Sequence, residues 1–147
     1  MLLQGGFLTR AEARRLSPVT LAFLGDAVYA LYVRERLVKT GGGKVADFQR
    51  ASSKILSATA QSEFLNIVQP LFTEEENEIF HRGRNAKKAT KSKNASPMEY
   101  NRSTGLEAVV GYLYAVGDLE RLETLFSALD QEKFEIMAQA VAFKPTH

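Results

Sequence analysis

The sequence predicts an all-α protein, and three observations carry that reading. Apolar residues recur at three- and four-residue spacing along most of the 147 positions. Thr9…Glu12 and Thr73…Glu76 have the form of capping boxes, in which a hydroxyl and a carboxylate satisfy the free N–H groups at a helix start. No stretch alternates apolar and polar residues as a half-buried strand does. A chain of this length buries roughly 70% of its unfolded surface in one core. We therefore expect a single domain over residues 1–147.

Taken in order, Thr9 to Glu12 opens a short helix. Ser17-Pro18 supplies an N-cap and a proline at the first helical position, starting a helix to about Val38. Gly41-Gly42-Gly43 follows as a connector, and Val45 to Arg50 forms at most a short helical turn. Ser52 or Ser53 begins the next helix, whose apolar positions are Ile55, Leu56, Ala60, Phe64, Leu65 and Val68, with Pro70 as its stop. Thr73 starts another, with acids at the positive end of its dipole and His81-Arg82-Gly83-Arg84 at its close. Asn85 to Pro97 reads as a loop. A strongly apolar helix from about Arg102 to Val116 is closed by Gly117, and Asp118 caps a helix through Leu119, Leu122, Leu125, Phe126 and Leu129. Phe134, Met137, Ala138 and Val141 mark a last helix before Pro145.

Composition narrows the function. The absence of cysteine excludes disulfides and thiolate chemistry, and fits a reducing cytoplasm. No apolar run approaches the roughly 20 residues that span a bilayer, so no membrane role is expected. His81 and His147 are too scattered for a metal cluster.

Two acids stand out. Asp26 is the only ionisable acid or base between Val19 and Val33, and Glu107 the only charge between Ser103 and Val116. Helices apolar around their whole girth are normally buried, so both carboxylates are expected in buried surroundings, where an uncompensated charge is expensive. An ion pair with Lys or Arg would satisfy one such acid. Two matched sites on helices without a nearby base favour a shared divalent cation, and an all-oxygen ligand set points to Mg²⁺, with Mn²⁺ as a substitute.

A basic segment adds a second feature. Arg82, Arg84, Lys87, Lys88, Lys91, Lys93 and Arg102 are seven of the nineteen Lys and Arg residues, opposed locally only by Glu99. Such a patch tracks phosphate backbones. Gly83, Asn85 and Asn94 would let the backbone approach a ligand. No aromatic residue interleaves before Tyr100, which favours a duplex over stacked single strands.

These residues resemble a known family. Leu21-Ala22-Phe23-Leu24-Gly25-Asp26-Ala27-Val28-Tyr29 is similar to the signature of the ribonuclease III catalytic domain, and Ser103 to Tyr114 (STGLEAVVGYLY) to its second acidic motif. The likeness runs from about residue 17 to 126. With no room after it for a double-stranded-RNA-binding domain, the chain is most similar to the Mini-III branch, whose basic loop His81 to Asn94 resembles.

The resemblance implies a ribonuclease III-like helical bundle and a homodimeric, Mg²⁺-dependent endoribonuclease acting on double-stranded RNA. It further implies maturation of 23S ribosomal RNA precursor ends and products with 5′-phosphate and 3′-hydroxyl; a ribosomal protein that presents the substrate is a candidate partner the sequence leaves open. It assigns catalysis and metal binding to Asp26 and Glu107, and RNA contact to Arg82, Arg84, Asn85, Lys87, Lys88, Lys91 and Lys93. Apolar surface around Phe23, Ala27 and Tyr29 is the expected dimer contact. The chain departs from the full-length family at two further acids, replaced here by Ala22 and Thr104. That departure supports an alternative, a non-catalytic helical RNA-binding or ribosome-assembly protein on the same scaffold.

Overall fold

The computed structural model describes residues 5–40, 43–88 and 95–129, and every regular element in them is helical. In order they are α1 (Arg10–Arg15), α2 (Pro18–Thr40), α3 (Val45–Ile55), α4 (Ala58–Val68), α5 (Glu74–Asn85), α6 (Pro97–Ala115) and α7 (Leu119–Ser127), with a 3₁₀ turn at Gln69–Leu71. The all-α expectation is met.

Helix α6 is the axis of the bundle. Residues from Ser103 to Ala115 are buried with few breaks, because α2, α4 and α5 all pack on it. Tyr29 of α2 anchors one side, its ring edge-on to Phe64 at 6.0 Å and to Phe126 at 5.4 Å. Such pairs add about 0.5–1.5 kcal/mol beyond area burial. Both expected capping boxes form, at Thr9/Glu12 and Thr73/Glu76. Gly117 closes α6 at φ 78, and Asp118 accepts from the Arg121 N–H to start α7.

Two boundaries differ from expectation. The turn foreseen at Val45–Arg50 continues to Ile55, and a break at Leu56–Ser57 separates it from α4. Ser57 makes the break: its hydroxyl donates to the Lys54 carbonyl at 2.8 Å and accepts from the Ala60 N–H at 3.2 Å, ending one helix and capping the next. Helix α6 begins at Pro97, five residues before Arg102, because Ser96 and Glu99 form a capping box with proline at the first turn. The loop expected over Asn85–Pro97 is correspondingly shorter. The helix expected around Phe134 to Val141 lies outside the described residues.

Candidate active site

The site is built where α2 crosses α6, and two glycines set the distance. A Cβ added to Gly25 would fall 1.8 Å from the Glu107 carbonyl oxygen, and one on Gly111 would fall 1.9 Å from that of Leu21. The two backbones touch, which any side chain at either position forbids. Asp26 follows Gly25, and Glu107 lies one turn before Gly111, so the contact that joins the helices also brings the two acids together. Both line one cavity of about 630 Å³.

Their surroundings are unequal. Glu107 is partly buried, and its carboxyl is pushed up to about 9, first by burial and then by a hydrogen bond with Asp26 and the repulsion of its charge. The Gln61 amide acts weakly the other way, favouring the ionised form. Asp26 is exposed, contrary to the expectation that both acids are buried. The apolar girth of α2 has two causes rather than one. Leu21, Ala22, Tyr29, Val33 and Leu37 face the core, whereas Val19, Phe23, Ala27 and Leu31 are exposed. Asp26 lies at the edge between these faces.

Such a pair holds either one shared proton or a cation. Its oxygens are hard donors of the kind Mg²⁺ and Mn²⁺ select. Among the described residues no third His, Cys, Asp or Glu joins them. Ala22 and Thr104, at the positions of the family's further acids, line the same cavity. The residues present therefore fit a cation that keeps much of its water shell.

The basic residues divide. Lys88 reaches the cavity wall, its Nζ donating to the carbonyls of Arg84 at 3.1 Å and Ala86 at 2.7 Å, and burial lowers its pKa. Lys87 is exposed nearby. Arg82 is exposed and donates to the Arg14 carbonyl at 3.4 Å. Arg84 lies over the Phe80 ring at 5.8 Å and donates to Asn85 Oδ1 at 3.1 Å. Arg102 is a tie between α6 and α4, bonded to Ser62 and Asn66. Gly83 serves helix packing rather than a ligand: a Cβ there would lie 2.9 Å from Gly105 Cα. Lys91, Lys93 and Asn94 lie outside the described residues.

Sequence reasoning missed Gln61, which is 3% exposed on the same cavity. The available signal was its place between Ala60 and Phe64 on the inner arc of α4.

A helical domain with a carboxyl pair in one cavity and a lysine on its wall has the chemistry of a site for an anionic substrate, and the class it belongs to is that of the helical ribonucleases. Residues 19–118 match the ribonuclease III domain. The chain is 48% identical over 118 residues to a protein named Mini-ribonuclease 3 from Symbiobacterium thermophilum, covering 80% of this chain and 91% of that one. It is 43% identical to the Mini-ribonuclease 3 of Streptococcus pneumoniae, covering 79% and 92%. A crystal structure of a protein from Fusobacterium nucleatum superposes with a TM-score of 0.73 at 28% identity, covering 79% of this chain and 94% of that one. The chain belongs to the ribonuclease III family, in its Mini-ribonuclease 3 branch, and is an endoribonuclease. The non-catalytic alternative is set aside with that assignment.

Proposed function

We propose that this endoribonuclease cleaves double-stranded RNA with a divalent cation, Mg²⁺ or Mn²⁺, held by Asp26 and Glu107. The observation that carries the reading is the pair itself: two carboxyls share one cavity within hydrogen-bonding range, and a cation there would relieve the burial and repulsion that push Glu107 up to about 9. When bound, the cation would supply charge neutralisation on the scissile phosphate and a water of lowered pKa.

The chain's own residues do the rest. Gly25 and Gly111 fix the separation of the acids before substrate arrives, so little reorganisation is needed. Lys88 presents its ammonium to an anionic backbone at the cavity wall, the exposed Lys87 and Arg82 add to the local positive charge, and Lys91 and Lys93 would contribute further charge from the same basic segment. Products would carry 5′-phosphate and 3′-hydroxyl ends.

The protein would act as a homodimer through the exposed stripe Val19, Phe23, Ala27 and Leu31, spaced four residues apart on α2. Tyr29, expected in that contact, is instead 1% exposed in the core. Membership of the ribonuclease III family supports an RNA substrate; the precursor of 23S ribosomal RNA, met in the cytoplasm with a ribosomal protein as candidate partner, is our proposal for it. Among the described residues no helix is long and apolar enough to cross a membrane.

The test is cleavage of structured ribosomal precursor RNA with and without Mg²⁺, beside Asp26→Asn and Glu107→Gln. Each substitution removes a charged oxygen ligand, and we expect rate losses of at least about a hundredfold. Full activity in either folded variant would reject the assignment of the pair.

A further inference from the structure

Several polar groups on the cavity wall have partners, and one buried atom there has none. Ser57 is bonded to Lys54 and Ala60. Ser103 and Thr104 both donate to the Tyr100 carbonyl, at 2.8 and 3.0 Å. The Lys88 ammonium is bonded to two carbonyls. Gln61 differs. Its Nε2 donates to the Leu56 carbonyl at 3.0 Å, which fixes which end of the amide is nitrogen. Its Oε1 is then buried without a donor, the one buried side-chain polar atom in that state among the described residues. Leaving a buried acceptor unsatisfied costs about 1–3 kcal/mol, so such atoms call for an explanation.

Location supplies one. The amide sits beside Glu107 in the cavity that holds the acid pair. Of the two positions where the wider family has further acids, Ala22 has no side-chain oxygen and the Thr104 hydroxyl is already engaged. Gln61 Oε1 is therefore the one buried side-chain oxygen among the described residues with no hydrogen-bond partner, and its residue lines the same cavity as the two carboxyls. We propose that Gln61 Oε1 is the third protein oxygen of the divalent-cation site formed with Asp26 and Glu107. This rests on the reading that the acid pair binds a cation. A neutral amide oxygen is a hard donor suited to Mg²⁺ or Mn²⁺, and it adds no repulsion to a pair that already carries two like charges. The break at Leu56–Ser57 leaves the Leu56 carbonyl free to accept from the amide nitrogen and so fixes the side chain against the cavity.

A purely structural role, with the amide only steadying the α3–α4 corner through its N–H, gives different results. Mn²⁺ alone is titrated into the purified chain, with free Mn²⁺ read by electron paramagnetic resonance, for the parent, Gln61→Met, Gln61→Glu and Asp26→Asn. Methionine keeps the shape and loses the oxygen, and should weaken Mn²⁺ binding about tenfold or more, the scale of such losses around metal sites. Glutamate keeps the oxygen and loses the N–H, and should bind at least as tightly as the parent. Equal binding by parent and Gln61→Met, or equal weakening by Met and Glu, overturns the proposal. If circular dichroism shows Gln61→Met unfolded, the Glu variant decides, and weaker binding than the parent rejects the role. Binding lost in Asp26→Asn but intact in Gln61→Met sinks this inference alone. No Mn²⁺ binding by the parent removes it together with the cation reading of the pair.

Discussion

Glu107 is where burial and charge conflict, and its protonation ties stability to pH. Its carboxyl is pushed up to about 9 in the folded chain against an ordinary value of 4.5. The folded state therefore holds an extra proton between these values. The associated stability is fully present below about pH 4.5 and is lost as pH rises toward 9. In metal-free buffer, Glu107→Gln, which never ionises, should match the parent near pH 5. Near pH 8 it should be more stable by about 2–4 kcal/mol, a discounted share of the 1.36 kcal/mol that each pKa unit represents. Thermal melts in chelator at the two pH values check this, and parallel curves would reject the raised pKa. Added Mg²⁺ should reverse the order at pH 8, because a ligand bound only by the folded parent stabilises it. The same proton must leave for a cation to bind, so Mg²⁺ affinity should rise with pH up to about 9.

At the scale of elements, the α2–α6 crossing makes the site. Gly111→Ala would push a methyl group to 1.9 Å from the Leu21 carbonyl oxygen, and backbone on both sides leaves it nowhere to turn. Overpacking costs about 1–3 kcal/mol where side chains can yield, so a loss at or above the top of that range is expected here. At about 3 °C per kcal/mol for a chain of this size, the melting temperature should fall by some 9 °C or more, with cleavage reduced as the acids separate. A shift of a degree or two would contradict the close crossing. This element also shows how far sequence could be read. The two acidic motifs carried the fold and the acid pair because glycine and acid stand together in each. Periodicity could not reveal that Ser57 splits one apolar run into α3 and α4, since serine is both a helix breaker and a tolerated helix residue. Nor could it show that α2 is apolar on two faces for different reasons, which left Asp26 exposed. The burial of Gln61 could be read from its place on α4, but not its role, which depends on a carbonyl five residues earlier and on acids from two other helices.

On the scale of the whole molecule, charge and apolar surface are segregated, and each segregation has a measurable consequence. Many of the cations elsewhere are neutralised: Arg10 by Glu75, Arg14 by Glu78, and Arg121 by the buried Glu76 at 2.8 Å. The basic residues after α5 form no ion pair among the described residues, so RNA affinity should concentrate there. Replacing Lys87 and Lys88 by Gln should reduce the slope of log affinity against log salt by roughly 0.7–0.9 for each phosphate that is no longer neutralised. An unchanged slope, read by filter binding over a salt series, would place the RNA elsewhere.

Apolar surface is concentrated on α2, where Phe23 is 83% exposed beside Asp26 and on the wall of the same cavity. A large aromatic ring this open is costly in water unless a partner covers it. In a two-fold dimer each residue acts twice, so covering Phe23 contributes about 3–6 kcal/mol to association, at about 1.5–3 kcal/mol per ring. Phe23→Asp removes that burial and sets a second charge beside Asp26. Dimer affinity should weaken by at least about a hundredfold, the equivalent of roughly 3 kcal/mol. Because the ring contributes little to the core of one chain, the variant should keep its helical content. Sedimentation over a concentration series, paired with circular dichroism, separates the outcomes. A folded monomer at concentrations where the parent is a dimer supports the interface. Unchanged sedimentation moves the dimer contact off this face, and would leave the open ring on the cavity wall as substrate-facing surface.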